Sequence, residues 1–289
     1  MKINILLPVY NDWDSVNLLL KDIEAKLDLP SIDVTLINDC STIYPVINKN
    51  FSKLKIIILN LKKNYGSQKA INIGLKYLNK NKIDLDYCII MDSDGEDKAE
   101  HVLKLLDKAR KNDKNIIFAS RGKRQDSFVF HCFYKIYLFF FFIFTGVNIN
   151  CGNFSCIPQK KISEVINLRN SQIHHSASIL SSNLFYRKIR CDRGKRFMGK
   201  SKMSFKNLIL HGLNAMTFFL KIILVRFFVF FSSISLVVFY WIKNLQIIYI
   251  FLFLFLFIIS ILFLLFLKFL QIQSNKKIID EVELKKSKI

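Results

Sequence analysis

Two apolar runs of 21 residues limit what this chain can fold into: 222–242, whose only charge is Arg226, and 247–267, which carries none. At ~1.5 Å per residue, each makes a helix about 31 Å long, the thickness of a bilayer's hydrocarbon core. The alternating Phe and Leu of 251–257 would be apolar on every face of a helix, which a surface helix of a soluble domain is not. We therefore expect two membrane spans. Only Lys243-Asn244-Leu245-Gln246 separate them, so they should form an antiparallel hairpin. The tail carries Lys276, Lys277, Lys285, Lys286 and Lys288 against three acids, and the segment before the first span is basic. The positive-inside rule puts both flanks in the cytoplasm. The expectation is a multi-pass protein of the cell (inner) membrane, with residues 1 to about 215 cytoplasmic. A third apolar stretch, 136–149, centres on Phe139, Phe140, Phe141 and Phe142. Its 14 residues suit an interfacial helix that presses the cytoplasmic domain against the bilayer.

Hydrophobic residues make up 52% of the chain and charged residues 22%, which excludes an intrinsically disordered protein. A net charge of +21 suits nucleic acid, an anionic membrane surface or an anionic substrate; it is equally what a Lys- and Asn-rich composition gives without any partner. The six cysteines form no CxxC pair and have no histidine at metal-site spacing, so they read as reduced, buried thiols. The opening MKINILLPVYND is broken by Pro8 and is too short for a signal-peptide core.

In the N-terminal half, short β-rich runs at 3–9, 34–38, 56–61, 87–91 and 116–120 alternate with amphipathic stretches. Val16, Leu19, Leu20, Ile23 and Leu27 lie at helical spacing, and 70–78 and 102–109 follow the same pattern. Such alternation indicates an α/β domain with a mainly parallel sheet and helices on both faces. Ligands of such sheets bind at the carboxyl ends of the strands. The residues there are polar: Tyr10-Asn11-Asp12, Asn38-Asp39-Cys40-Ser41, Asn64-Tyr65-Gly66-Ser67, and Asp92-Ser93-Asp94-Gly95-Glu96-Asp97. The last group packs four acids into six residues. Clustered carboxylates repel one another unless a cation holds them together, and an oxygen-only set favours Mg²⁺ or Mn²⁺ over zinc. The alternative is an acidic turn capping the next helix through its dipole. Asp39 suits a hydrogen bond to a base or ribose, or a turn. The helix after Gly66 offers free N–H groups to an anion, or Ser67 simply caps it.

Taken in order, Pro8-Val9-Tyr10-Asn11, Asn38-Asp39-Cys40-Ser41, Asn64-Tyr65-Gly66 with Ala70 and Asn72-Ile73-Gly74, and Met91-Asp92-Ser93-Asp94 resemble the family 2 glycosyltransferases, inverting enzymes of GT-A fold. The interfacial helix, Gly152-Asn153-Phe154, the Arg-rich loop and two C-terminal spans are similar to the polyprenyl-phosphate branch, which includes dolichyl-phosphate mannose synthases. The likeness runs from residue 3 to about 267. It implies a nucleotide-sugar-binding GT-A core at 1–127, an interfacial helix and acceptor-side region at 128–215, a transmembrane hairpin at 216–270 and a basic tail at 271–289. It also implies that Pro8, Tyr10, Asn11, Asp39 and Gly66 line the nucleotide site. Asp92 and Asp94, with Glu96, would hold the divalent ion, and Arg121 would meet phosphate. Departures stand beside this. Asn38 and Cys40 replace the usual Asp and Gly of the second motif, and Asp12 stands where the family commonly has Glu. Asn153 replaces the acid taken as the catalytic base in that branch. Either the base lies elsewhere, with Asp97, His174 and His175 as candidates, or the acceptor needs none. A phosphate monoester is already largely ionised at neutral pH, whereas a sugar hydroxyl must lose its proton as it attacks.

Residues 187–206 hold nine basic residues and one acid. With only Phe197 and Phe205 available for stacking, this segment lacks the equipment of a nucleic-acid binder. About 20 residues before a span, it suits phosphates at the lipid surface, through Arg193, Arg196 and Lys200. The expected activity is inverting, metal-dependent transfer of a sugar from a nucleotide diphosphate sugar to a membrane acceptor. Asp94, Asp97 and Arg121 would serve the chemistry, polyprenyl phosphate would be the acceptor, and a homo-oligomer is compatible. The alternatives are transfer to a sugar hydroxyl of a lipid-linked glycan, and a noncatalytic membrane-surface binding protein.

Overall fold

The computed structural model describes residues 1–47, 50–111, 115–122, 128–168, 170–199, 205–241, 246–276 and 284–288. The chain divides into two compact units: Met1–His131, Asn150–Lys202 and Asp280–Ile289 form the first, and Cys132–Ile149 with Met203–Ile279 the second. In chain order the elements are β1 (Ile3–Val9), α1 (Trp13–Lys26), β2 (Ile32–Asn38), β3 (Leu54–Leu61), α2 (Ser67–Lys80), β4 (Tyr87–Ile90), α3 (Glu100–Lys111), β5 (Ile116–Arg121) and α4 (Phe128–Thr145). There follow β6 (Cys151–Pro158), α5 (Gln159–Ile166), α6 (His175–Leu180), β7 (Tyr186–Cys191), α7 (Phe205–Met216), a 3-10 turn (Thr217–Phe219), α8 (Leu220–Trp241), α9 (Gln246–Lys276) and β8 (Leu284–Lys288).

The first unit is an α/β sheet in the order β7-β5-β6-β4-β1-β2-β3-β8. β1 lies parallel to β2 and β4, and β2 parallel to β3. All seven residues of β1 are buried, as expected of a strand covered on both faces. The apolar stripe predicted for the first helix, Val16, Leu19, Leu20 and Ile23, is fully buried in the same core as Leu7, Val34 and Ile89. Gly74 has a packing reason. A Cβ there would sit 2.5 Å from Leu6 Cδ1 and 3.0 Å from Ile37 Cδ1, so only glycine lets α2 lie this close to the sheet.

The five expected strands are all present, and three more appear. β6 runs antiparallel between β4 and β5, β7 lies parallel to β5, and β8 adds antiparallel to β3. β7 corrects the sequence picture of 187–206 as one basic loop. Residues 187–191 belong to the strand Tyr186–Cys191, held by main-chain pairing that a charge count does not reveal.

The second unit is helical and joined by phenylalanine rings. Phe141 meets Phe219 edge-on at 5.6 Å, Phe144 meets Phe227 at 5.5 Å and Phe263 at 6.0 Å, and Phe231 meets Phe257 at 6.4 Å. The predicted helix at 136–149 starts earlier and stops at Thr145, because Gly146 adopts φ +74° and its N–H closes on Phe142 O at 2.7 Å, a left-handed helix stop. Among the described residues one stretch is long and apolar enough to cross a membrane: Asn207–Ile234, 28 residues. It begins well before the predicted 222, because α7, the 3-10 turn and α8 follow one another without a gap in the helical backbone. The second predicted span, 247–267, corresponds among the described residues to a shorter apolar stretch of α9, Leu254–Phe269.

Candidate active site

The carboxyl ends of β1, β2 and β3 are tied together by their own loops. Asn11, at φ 52°, accepts Thr42 N–H at 2.8 Å and Ile43 N–H at 3.1 Å through its Oδ1, while its own N–H donates to Ser41 Oγ at 2.9 Å. Asn38 Nδ2 donates to Asn60 Oδ1 at 2.8 Å, and Asn38 Oδ1 accepts Ser41 N–H at 3.0 Å. Asp39, 3% exposed, accepts Tyr65 N–H at 2.7 Å and Gly66 N–H at 2.8 Å. Burial raises its pKa, and those two N–H groups with Lys69 pull it back. Asn11, Asp39 and Gly66 therefore shape the loops of the expected nucleotide site, where Gly66 takes φ +85° at the start of α2. Tyr10 is exposed beside them, and Pro8 is buried in β1, paired with Ile37.

The acidic loop after β4 folds on itself. Asp97 Oδ2 accepts Asp92 N–H at 2.9 Å, and Asp94 Oδ1 accepts Glu96 N–H at 3.0 Å. Gly95 turns the chain at φ +85°, and a Cβ there would lie 2.2 Å from the Phe197 ring. The segment after β7 lies across this loop like a strap. Gly194 N–H reaches Glu96 O at 2.8 Å, and Phe197 N–H reaches Asp94 O at 2.9 Å. Arg193 Nη2 is 2.6 Å from Glu96 Oε2 and 3.8 Å from Asp92 Oδ2. Arg196 donates from Nη1 to Asp94 Oδ2 at 3.0 Å and from Nη2 to Asp12.

Five carboxyls thus face two guanidinium groups. Burial first, then repulsion from Asp92 and Glu96, pushes Asp94 up to about 6; burial and then Asp92 push Asp97 up to about 7. Burial disfavours the charge of Arg193, but Asp97, Glu96, Asp92 and Asp94 outweigh it and raise its pKa. The excess of negative charge and the all-oxygen donor set fit a hard divalent cation. In this arrangement Arg193 and Arg196 pair with the carboxyls, and among the described residues no three His, Cys, Asp or Glu side chains converge as a metal-ligand set. The cleft lined by Asp92, Glu96, Asp97, Asn153 and Arg193 has room for about 20 Å³, about one water molecule.

Asn153, on β6, donates from Nδ2 to Asp92 Oδ1 at 3.2 Å and accepts from Gln68 Nε2 at 2.9 Å. Of the two histidines, His174 caps α6 by accepting Ala177 N–H. His175 is buried with Nε2 3.3 Å from Ser155 Oγ, and burial lowers its pKa to about 4. Arg121 ends β5, but its side chain lies outside the described residues, as does all of Lys200. Asp12, Gln68 and Phe197 were not among the predicted site residues. Position was the signal for two of them: Asp12 follows the end of β1, and Gln68 lies one residue into the helix after Gly66.

The family model for Glycosyl transferase family 2 matches residues 4–162. An uncharacterized glycosyltransferase of Synechocystis sp. is 27% identical over 222 residues, 72% of this chain and 66% of the relative. The undecaprenyl-phosphate 4-deoxy-4-formamido-L-arabinose transferase of Photorhabdus laumondii is 26% identical over 224 residues, 72% of this chain and 65% of the relative. The chain therefore spans just under two thirds of the length of these two. Among solved structures, glucosyl-3-phosphoglycerate synthase from Mycobacterium tuberculosis, in complex with Mn²⁺, UDP-glucose and phosphoglyceric acid, aligns with TM-score 0.55 and 11% identity over 77% of this chain and 79% of the other. At that identity the likeness is one of fold.

Proposed function

The chain belongs to glycosyl transferase family 2, and from that premise we propose that it moves a sugar, with inversion, from a nucleoside diphosphate sugar to a membrane-embedded phosphate acceptor, polyprenyl phosphate. The observation that carries the proposal is the acidic loop at the end of β4, with four carboxyls gathered under Arg193 and Arg196. The names of the undecaprenyl-phosphate transferases among the relatives support the acceptor class. Asp92, Asp94 and Glu96 would hold Mg²⁺ or Mn²⁺, which when bound neutralises charge developing on the departing diphosphate. Released from the carboxylates, Arg193 and Arg196 would meet the same diphosphate with fixed N–H donors, and Arg121 and Lys200 would add to that field. Tyr10, Asp39 and the loop at Gly66 would hold the nucleoside end.

An ionised phosphate oxygen attacks without surrendering a proton, which accords with an amide at position 153 and with two histidines engaged in the fold. Asp97 favours a second reading: a carboxyl pushed to about 7 has the character of a general base, which a sugar-hydroxyl acceptor would require. For the membrane we propose a multi-pass inner-membrane arrangement with the catalytic unit cytoplasmic. Asn207–Ile234 would be one span and α9 the other. Exposed Phe228, Phe230, Phe255 and Phe269 would face lipid.

Membranes containing the full chain, supplied in turn with a panel of nucleotide sugars, should yield one new glycolipid by mass spectrometry of the lipid extract. Asp92→Ala and Asp94→Ala should each lower its yield by about 10²-fold or more. Folded variants that transfer at the wild-type rate would refute the proposal.

A further inference from the structure

We infer that Gln68 and Asn153 are positioning residues for Asp92, acting as a hydrogen-bond relay whose direction is fixed by the main chain of His175. The relay starts from a group that can only donate: His175 N–H gives its hydrogen to Gln68 Oε1 at 2.6 Å. That settles which end of the Gln68 amide is which, so Gln68 Nε2 faces Asn153 and donates to Oδ1 at 2.9 Å. Asn153 Oδ1 is thereby committed, and its Nδ2 is what remains to meet Asp92 Oδ1 at 3.2 Å. Each side chain has one acceptor and one donor end, and each end is assigned by the link before it. The anchor is firm, since His175 is 1% exposed and begins α6.

The relay gives position 153 a role different from proton acceptance. An amide here holds one oxygen of Asp92 from the side, and the Asp92 N–H closes on Asp97, so the loop's first carboxylate is oriented from two directions. The other oxygen faces Arg193. A carboxylate at 153 could still accept from Gln68, but it would set an oxygen against an oxygen of Asp92. Glutamate at 68 has the shape of glutamine and could still accept from His175, yet it has no hydrogen for Asn153. Partners that orient a ligating group are typically worth about 10- to 100-fold in metal affinity or activity. The inference rests on the functional reading above, because it assigns Asp92 to cation binding.

The test measures Mn²⁺ affinity of the full chain, with and without UDP, by the loss of free Mn²⁺ signal in electron paramagnetic resonance, beside the transfer rate. The set is Gln68→Ala, Asn153→Ala, their double variant, the isosteric Gln68→Glu, and Asn153→Asp. Gln68→Ala and Asn153→Ala should each weaken Mn²⁺ binding about tenfold or more, the double variant no further than either single, and Gln68→Glu as much as Gln68→Ala. Asn153→Asp should not raise the rate. Gln68 touches neither Asp92 nor any ligand in this account, so wild-type Mn²⁺ affinity in both Gln68 variants would overturn the relay. So would faster transfer by Asn153→Asp, the result expected of a restored base. A wild-type chain that takes up Mn²⁺ neither alone nor with UDP removes the functional reading first, and the relay with it.

Discussion

Arginine is used in two opposite ways in the two units of this chain. In the first unit Arg193 and Arg196 sit among acids and complete a charge balance that a cation could complete instead. In the second, Arg226 has no acid beside it among the described residues; its Nη1 donates to Ile143 O at 2.8 Å and to Phe142 O at 3.5 Å, carbonyls in the last turn of α4, the second of which also accepts Gly146 N–H. Gly146 makes room, since a Cβ there would lie 2.3 Å from Arg226 Nη2. A guanidinium held by carbonyls at a helix's negative end is satisfied in place. One shared among carboxylates is held by partners that have other uses. The first two arginines are suited to exchange partners during a reaction, and the third is suited to fasten α4 to α8.

The largest effect should come from breaking the acidic side of the first pair. Asp94→Ala should lower sugar transfer by about 10²- to 10³-fold, the range for loss of one preorganised group that stabilises developing charge, measured as initial rate of glycolipid formation. Next, Arg196→Ala should cost about tenfold or more, and Arg196→Lys should recover little of it. A point charge cannot bridge Asp12 and Asp94 as a planar fork does. Equal activity of the lysine variant would show that charge alone is used.

A smaller effect concerns stability and pH. His175 has its pKa lowered to about 4 by burial, against about 6.5 in an unfolded chain. As pH falls from about 6.5 to about 4 the unfolded state takes up a proton that the folded state refuses. Stability is therefore lost over that window by at most about 1.4 kcal/mol per pH unit. His175→Gln should flatten that part of the pH dependence in denaturant titrations. The smallest effect is expected at the second unit: Arg226→Leu should cost about 1 kcal/mol through the lost carbonyl partners, seen as easier unfolding of the helical unit, with nucleotide affinity unchanged. A loss of nucleotide binding in that variant would erase the contrast between the two uses of arginine.

The parts of the fold that rest on local pattern were legible in the sequence. β1 through β5 read as apolar runs because buried parallel strands are apolar throughout, and the stripe of α1 follows a 3.6-residue period. β6 and β7 were not legible. Cys-Gly-Asn-Phe-Ser-Cys-Ile-Pro and Tyr-Arg-Lys-Ile-Arg-Cys have little strand character alone, and pairing with β4 and β5 decides their state. The same split holds at the site. Asp92, Asp94, Glu96 and Asp97 announce themselves by crowding within one loop. Asp12 and Asn153 stand in motifs read from the sequence, but their partners, like those of Gln68 and Phe197, lie far off in the chain, 184 positions for Asp12 and Arg196, and no short pattern marks those pairings. The long apolar helical stretch around 222–234 was recognisable by composition, but its start at Asn207 depends on three helical segments joining.

The most direct measurement of the central claim is the stability in mild acid of the radiolabelled lipid made by the full-length protein from its nucleotide sugar donor. Mild acid should release the label from the lipid, as it does from a glycosyl phosphate, and Asp94→Ala should lower labelling by about 10²- to 10³-fold. Label that survives the acid, or that forms undiminished without Asp94, would contradict it.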